Sequence, residues 1–253
     1  MNNEILGLVL TLFLGIFILI GSLIVFFVKN NNKFICLSIG MAFGVMIMLV
    51  IFDLIPEVLE VFSNYNWYIK LLIVIALSII GIIILKIFDL FIPHHEHDEH
   101  IDKNNLHHIG IVSSIALVLH NIIEGMALYS VFSQSIKTGL LLSIGIGLHN
   151  IPLGMIIASA FYKSNKSIKK TLLISFSISV STFIGGILMY LLSSLINETI
   201  MGILLGITLG MIIYIAIFEL LPHIKEEKNK KIPILGILIG IILILLSTLF
   251  HHH

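Results

Sequence analysis

The sequence predicts an all-α, polytopic membrane protein built as a bundle of eight helices that each cross a bilayer. Three observations lead there. Hydrophobic residues make up 58% of the 253-residue chain and charged residues only 11%, against about 25% charged in an ordinary soluble domain. Mean hydropathy is +1.13. The apolar residues are gathered into stretches of the length a bilayer-spanning helix needs, about 20 residues. No alternating pattern of about ten residues, the signature of a membrane β-barrel strand, interrupts them, and an open sheet edge cannot be satisfied in lipid.

Taken in order, the predicted spans are Ile5–Val28, Phe34–Pro56, Tyr68–Ile92, Ile109–Phe132, Thr138–Phe161, Ile168–Leu195, Thr199–Pro222 and Ile232–Phe250. The first is expected to be retained as a span, because Met1–Glu4 carry no basic residue and no small-residue cleavage site follows. Most connections are short, so one transmembrane domain over residues 1–253 is expected. The exception is the stretch 94–108 between the third and fourth spans. It holds His94, His95, His97, His100, His107 and His108 among four carboxylates. Clustered imidazoles and carboxylates of this kind bind zinc-like ions, here as a holding or sensing loop, with no spacing that enforces one geometry. Every basic residue is lysine, and with eight crossings only Lys70 and Lys137 fall at the end that carries both termini. The positive-inside bias therefore predicts outside termini and a cytoplasmic histidine loop in a cell-membrane protein. Tyr65, Trp67 and Tyr68 fall where an outer aromatic belt is expected. Formal net charge is zero and no basic run of the kind that nucleic acid recognition needs is present. The single cysteine, Cys36, is read as a small buried hydrophobe. His251–His253 are given no role.

Two internal repeats run through the apolar sequence. Gly40–Glu57 aligns without gaps to Gly206–His223, 166 residues on, with matching glycines, a matching Phe-acid-Leu-x-Pro ending, and Asp53 opposite Glu219. These lie on the second and seventh spans, which run in opposite directions. Inverted repeats of this kind are characteristic of secondary transporters, whose substrate site lies near the midplane. The other repeat reads His120-Asn121-Ile122-Ile123-Glu124-Gly125-Met126 and, 29 residues on, His149-Asn150-Ile151-Pro152-Leu153-Gly154-Met155. Both copies sit in mid-span. A charged group there costs about 2.5–3.5 kcal/mol by insertion scales, so it is read as functional.

The chemistry follows from spacing. His120 and Glu124, four apart, share a helix face, and His149 on the antiparallel neighbour can add a third ligand. Two imidazoles and a carboxylate suit zinc and related first-row dications rather than magnesium or calcium. Three ligands leave a position open for an ion that must leave again. Asn121 and Asn150 either offer carbonyl oxygens to the ion or bond across helices. Gly125 and Gly154 are expected to let the fourth and fifth spans approach closely, and Pro152 to free the Leu148 carbonyl. Asp53 and Glu57 form a predicted entrance at one mouth; Glu219 and His223 form a predicted exit at the other. The Gly-x-x-x-Gly pairs Gly40/Gly44, Gly206/Gly210 and Gly236/Gly240 read as packing faces. Ser175, Ser179 and Thr182 share a face of the sixth span, as packing hydroxyls or as part of the pathway.

With those residues in view, the chain resembles the ZIP (Zrt/Irt-like) family of divalent-metal transporters over essentially its whole length. The carriers of the resemblance are His120-Asn121-x-x-Glu124-Gly125 and His149-Asn150-Ile151-Pro152-x-Gly154. The resemblance implies zinc uptake into the cytoplasm, with iron, manganese, cobalt or cadmium as co-substrates. It also implies a three-plus-two-plus-three arrangement of spans, alternating access and a homodimer. The metal is substrate, and no cofactor is expected. Three positions depart from the family pattern: Leu153 and Thr182 stand where many members have glutamate, and Ile123 where many have proline. One central ion, held by His120, Glu124 and His149, is therefore expected instead of two. The alternatives are an intramembrane zinc hydrolase, for which no His-Glu-x-x-His motif occurs, and metal efflux.

Overall fold

The computed structural model describes residues 3–28, 32–92, 103–165 and 167–248. His94, His95, His97 and His100, and also His251–His253, lie outside the described residues. No strand occurs among the described residues. Eight helices are long and apolar enough to cross a membrane: Glu4–Phe27, Asn32–Val61, Trp67–Leu90, Leu106–Gln134, Ile136–Ser164, Ile168–Leu192, Glu198–Glu226 and Lys231–Thr248, named below as the first to the eighth span. Three of them begin at polar caps. The side chains of Asn66, Ser167 and Asn197 accept from the backbone N–H groups of Ile69, Lys170 and Ile200, donors that the first helical turn leaves without a partner.

Two spans run further than predicted. The prolines Pro56 and Pro222 do not end the second and seventh spans, which continue to Val61 and Glu226. A proline inside an α-helix clashes with the carbonyl four residues back. Here a wider π-turn precedes each one, over Val50–Leu54 and Ile215–Leu220. The N–H of Ile55 bonds the Val50 carbonyl, and that of Leu221 bonds the Ala216 carbonyl. The turn enlarges just where the ring needs room, and the helix goes on. Both turns fall at the same place in the 166-residue repeat, and each contains its acidic residue, Asp53 or Glu219. The fourth helix also starts earlier than predicted. It runs from Lys103, so His107 and His108 belong to it and not to a loop. The His107 ring stands edge-on to Phe161 of the fifth span, 5.6 Å between centroids. Pro152 lies inside a continuous fifth helix.

The spans pack in two groups. The first, fourth, fifth and sixth pack mainly on one another, and so do the second, third, seventh and eighth. The first span lies on the fifth as the sixth lies on the fourth; the second lies on the eighth as the seventh lies on the third. Between the groups, the fifth span meets the second and eighth, and the fourth meets the seventh.

Glycines set the separations inside each group. A Cβ on Gly125 would run into the Thr182 carbonyl of the sixth span, and one on Gly185 into the Ile122 carbonyl of the fourth. A Cβ on Gly154 would meet the Ile18 carbonyl of the first span, and one on Gly21 the Ile151 carbonyl of the fifth. Gly125 and Gly154 therefore do not join the fourth span to the fifth, as expected from the sequence. Each presses its own span against an outer neighbour, because the face towards the other phrase is taken up by the larger His and Glu side chains. Gly40 and Gly44 bear on Pro233 and Ile237 of the eighth span, and Gly236 and Gly240 return the contact on Leu37 and Met41. Gly206 and Gly210 bear on Leu77 and Ser78 of the third.

Gly21→Ala, which forces a methyl onto a backbone carbonyl, is expected to destabilise the purified protein by about 1–3 kcal/mol. Thermal unfolding in detergent checks this, with Leu12→Ala on the lipid-facing surface as the comparison that changes little.

Candidate metal site

The fourth and fifth spans cross with their polar faces together. His120, Glu124 and His149 are buried, each offering a ligand atom, and these atoms lie within 4.8 Å of one another. His149 Nε2 stands 3.1 Å from Glu124 Oε1, and His120 Nε2 stands 3.6 Å from the same oxygen. A tetrahedral ion with bonds of 2.0–2.2 Å holds neighbouring ligand atoms about 3.4 Å apart. Two of the three edges thus already have the length that such an ion requires. His120 Nε2 has no hydrogen-bond partner among the described residues, which leaves its lone pair available to a cation.

The asparagines differ in their use. Asn150 Nδ2 donates to Glu124 Oε2 at 3.3 Å and fixes the carboxylate. Asn121 Nδ2 donates to the Ile178 carbonyl of the sixth span at 3.2 Å. The Oδ1 atoms of both have no hydrogen-bond partner among the described residues. Leu153 is buried in the apolar core. Thr182 faces Gly125 and brings no carboxylate to the centre. The triad has one anion.

A cavity of about 340 Å³ reaches the triad from the end that carries the termini. His120, Glu124 and His149 form its floor, and Leu128, Val131, Leu142 and Ile146 are among its apolar walls. Along its other side the second span presents Asp53, Glu57 and Glu60, at spacings of four and three, so that the carboxylates follow one helix face. Asp53 and Glu57 were expected at this mouth; Glu60 was not, though the i, i+4, i+7 spacing was there to be read.

The other end holds a second cluster. Asp89, His108 and Glu219 bring their ligand atoms within 4.8 Å of one another. His108 Nε2 lies 2.8 Å from Asp89 Oδ1, and His108 Nδ1 lies 3.4 Å from Glu219 Oε2. The Tyr214 hydroxyl donates to Asp89 Oδ2 at 2.7 Å. The cluster joins the third and seventh spans of one group to the fourth span of the other. Asp89 and Tyr214 were not singled out from the sequence, although an aspartate in the last turn of a span is a signal. His223 stands apart from this cluster, with Nδ1 3.0 Å from the Glu219 carbonyl.

Comparison with known proteins gives a consistent result. The family model "ZIP Zinc transporter" matches residues 92–248. A protein of Clostridium perfringens named "Zinc transporter ZupT" is 29% identical, over 98% of this chain and 97% of its own. Proteins of the same name from Chlorobium luteolum and Streptococcus mutans are 30% and 28% identical, over 98% and 95% of this chain and 99% and 96% of theirs.

Asn150→Ala, which releases Glu124 Oε2, is expected to weaken zinc affinity about 10–100-fold. Isothermal titration on the purified protein reads this, and an unchanged affinity would remove Asn150 from the site.

Proposed function

The chain belongs to the ZIP zinc transporter family, and from that premise we propose that it carries zinc or a similar dication into the cytoplasm through the His120–Glu124–His149 site. The observation that supports this most is the triad itself: three ligand atoms within 4.8 Å of one another, two of the three edges at tetrahedral length, lining a cavity at the end with the termini. Two imidazoles and one carboxylate favour zinc, cadmium, cobalt or iron over magnesium and calcium.

The route runs as follows. Asp53, Glu57 and Glu60 lower the potential of the vestibule for a cation. The ion sheds water as Glu124 and the two imidazoles replace it. A fourth position stays open, and a single anionic ligand keeps binding weak enough for release. Asp89, His108 and Glu219 receive the ion at the far end. Since that cluster ties the two groups of spans together while the vestibule is open, it must part for the ion to pass. Alternating access then follows from motion of the first, fourth, fifth and sixth spans against the others. The paired packing of spans and the two π-turns support the three-plus-two-plus-three repeat. The lysine bias supports outside termini in a cell membrane, and the resemblance supports a homodimer. A hydrolytic reading is less favoured, since no His-Glu-x-x-His motif occurs and Glu124 is already engaged by His149, His120 and Asn150.

In vesicles loaded with a zinc-sensing dye, His120→Ala is expected to abolish metal-driven fluorescence, and parental uptake would sink the site. Asp89→Asn is expected to slow uptake at least severalfold while zinc affinity at the centre stays unchanged. Flux only out of vesicles of known orientation would reverse the assigned direction.

A further inference from the structure

The turn between the seventh and eighth spans carries a charge pattern that the transport route does not use. The seventh span ends at Glu226 and the eighth begins at Lys231. From Lys225 to Lys231 the chain reads Lys-Glu-Glu-Lys-Asn-Lys-Lys. Lys225, Lys228, Lys230 and Lys231 are all exposed. The start of the second span packs beside this turn and adds the exposed Lys33: a Cβ on Gly236 would meet the carbonyl of Leu37, one helical turn past Lys33. The end of the fifth span adds Lys163, whose Nζ donates to Asn32 Oδ1 at 2.7 Å. These ammonium groups stand at one end of the bundle, where the spans leave the bilayer.

The turn is held in shape by its own bonds. Lys230 Nζ donates to the Ile224 carbonyl at 3.1 Å and also to the Lys225 carbonyl, which closes the end of the seventh span. Asn229 Oδ1 accepts from the Lys231 N–H at 3.3 Å and starts the eighth. Glu227 is engaged on both oxygens, Oε2 by the Cys36 thiol at 2.9 Å and Oε1 by the Asn229 N–H at 3.1 Å. That leaves Glu226 as the exposed carboxylate among the lysines. The side chains of Lys33, Lys225, Lys228 and Lys231 make no hydrogen bond or ion pair among the described residues.

An apolar stripe leads away from these lysines along the eighth span. Leu235, Leu238, Ile242 and Leu245 follow Lys231 at spacings of four and three, so they share its face of the helix. Each is about half exposed. At 1.5 Å per residue the stripe from Leu235 to Leu245 is about 15 Å long, and one leaflet's hydrocarbon is about 15 Å deep. A cationic head position and an apolar column thus lie in line on one surface.

We propose that this turn, with Lys33 beside it, is a seat for an anionic phospholipid. The head-group phosphate lies among Lys225, Lys228 and Lys231, and an acyl chain runs down Leu235, Leu238, Ile242 and Leu245. Lysines clustered at the end of a span attract anionic head groups, each lysine contributing about fivefold in affinity. A zwitterionic lipid has the same phosphate and the same chains but carries its own cation, which the lysines repel. The seat depends neither on the direction of transport nor on which side of the membrane is cytoplasmic.

The test uses the purified full-length protein in detergent, with dioleoylphosphatidylglycerol and dioleoylphosphatidylcholine as probes and native mass spectrometry to count bound lipid. Phosphatidylglycerol is expected to be retained at least about tenfold better than phosphatidylcholine, with the gap narrowing as salt is raised. Lys225→Gln/Lys228→Gln/Lys231→Gln is expected to lose that preference. Arginine at the same three positions is expected to keep it, which separates loss of charge from loss of fold. Lys70→Gln/Lys137→Gln at the opposite end is expected to leave it unchanged. Equal retention of the two lipids would overturn the proposal, as would full preference in the glutamine triple variant. Displacement of the lipid by inorganic phosphate would also overturn it, by making the lysines a site for a free anion. So would a lipid-free dimer, which would put a second copy of the chain on the stripe.

Discussion

At the middle of the bundle one carboxylate, Glu124, is shared by two imidazoles and a carboxamide, and the rest of the structure is arranged so that they can meet. A lone carboxylate at that depth costs about 2.5–3.5 kcal/mol by insertion scales. His149, His120 and Asn150 reduce the cost but come from two separate spans. The fourth and fifth spans must therefore cross at one depth with these faces together. Such an arrangement is more than polar glue. Two of the three spacings between ligand atoms match those around a tetrahedral ion, and the vestibule reaches them from the end with the termini.

What holds the two spans at that crossing is packing on their far sides. Gly125 and Gly185 let the fourth and sixth spans touch along the backbone; Gly154 and Gly21 do the same for the fifth and first. In a bilayer there is little hydrophobic drive between helices, so association rests on close van der Waals contact through small residues. The polar centre is clamped by four spans whose separation the glycines fix. The second and seventh spans contribute differently. Their π-turns keep each helix running past a proline while turning Asp53 into the vestibule wall and Glu219 into the cluster with Asp89 and His108. π-turns often mark functional positions in helices, and here the same device serves both ends.

The two ends are unlike, even though the repeat makes them formally equivalent. At the end with the termini, Asp53, Glu57 and Glu60 line an open cavity of about 340 Å³. At the other end, Glu219 is bound up with His108, and His108 with Asp89. One sequence motif thus stands open in one copy and closed in the other.

Composition and spacing were enough to read eight spans, the pairing of the second with the seventh, and the triad His120, Glu124, His149. Apolar stretches of bilayer length have no other stable fate in lipid, and an ionisable phrase repeated in mid-span has few structural uses. The sequence could not reveal what the glycines touch, because a small residue shows that something comes close but not which helix does. It put the ends of two spans at Pro56 and Pro222, since a proline breaks an α-helix and nothing local announces a π-turn. It placed His107 and His108 in a loop, since polar residues at the start of a buried helix look the same as polar residues before it. Asp89, Tyr214 and the contact of Cys36 with Glu227 depend on residues brought together from 125 and 191 positions away. Local periodicity carries no information at that range; only the packing of the spans decides it.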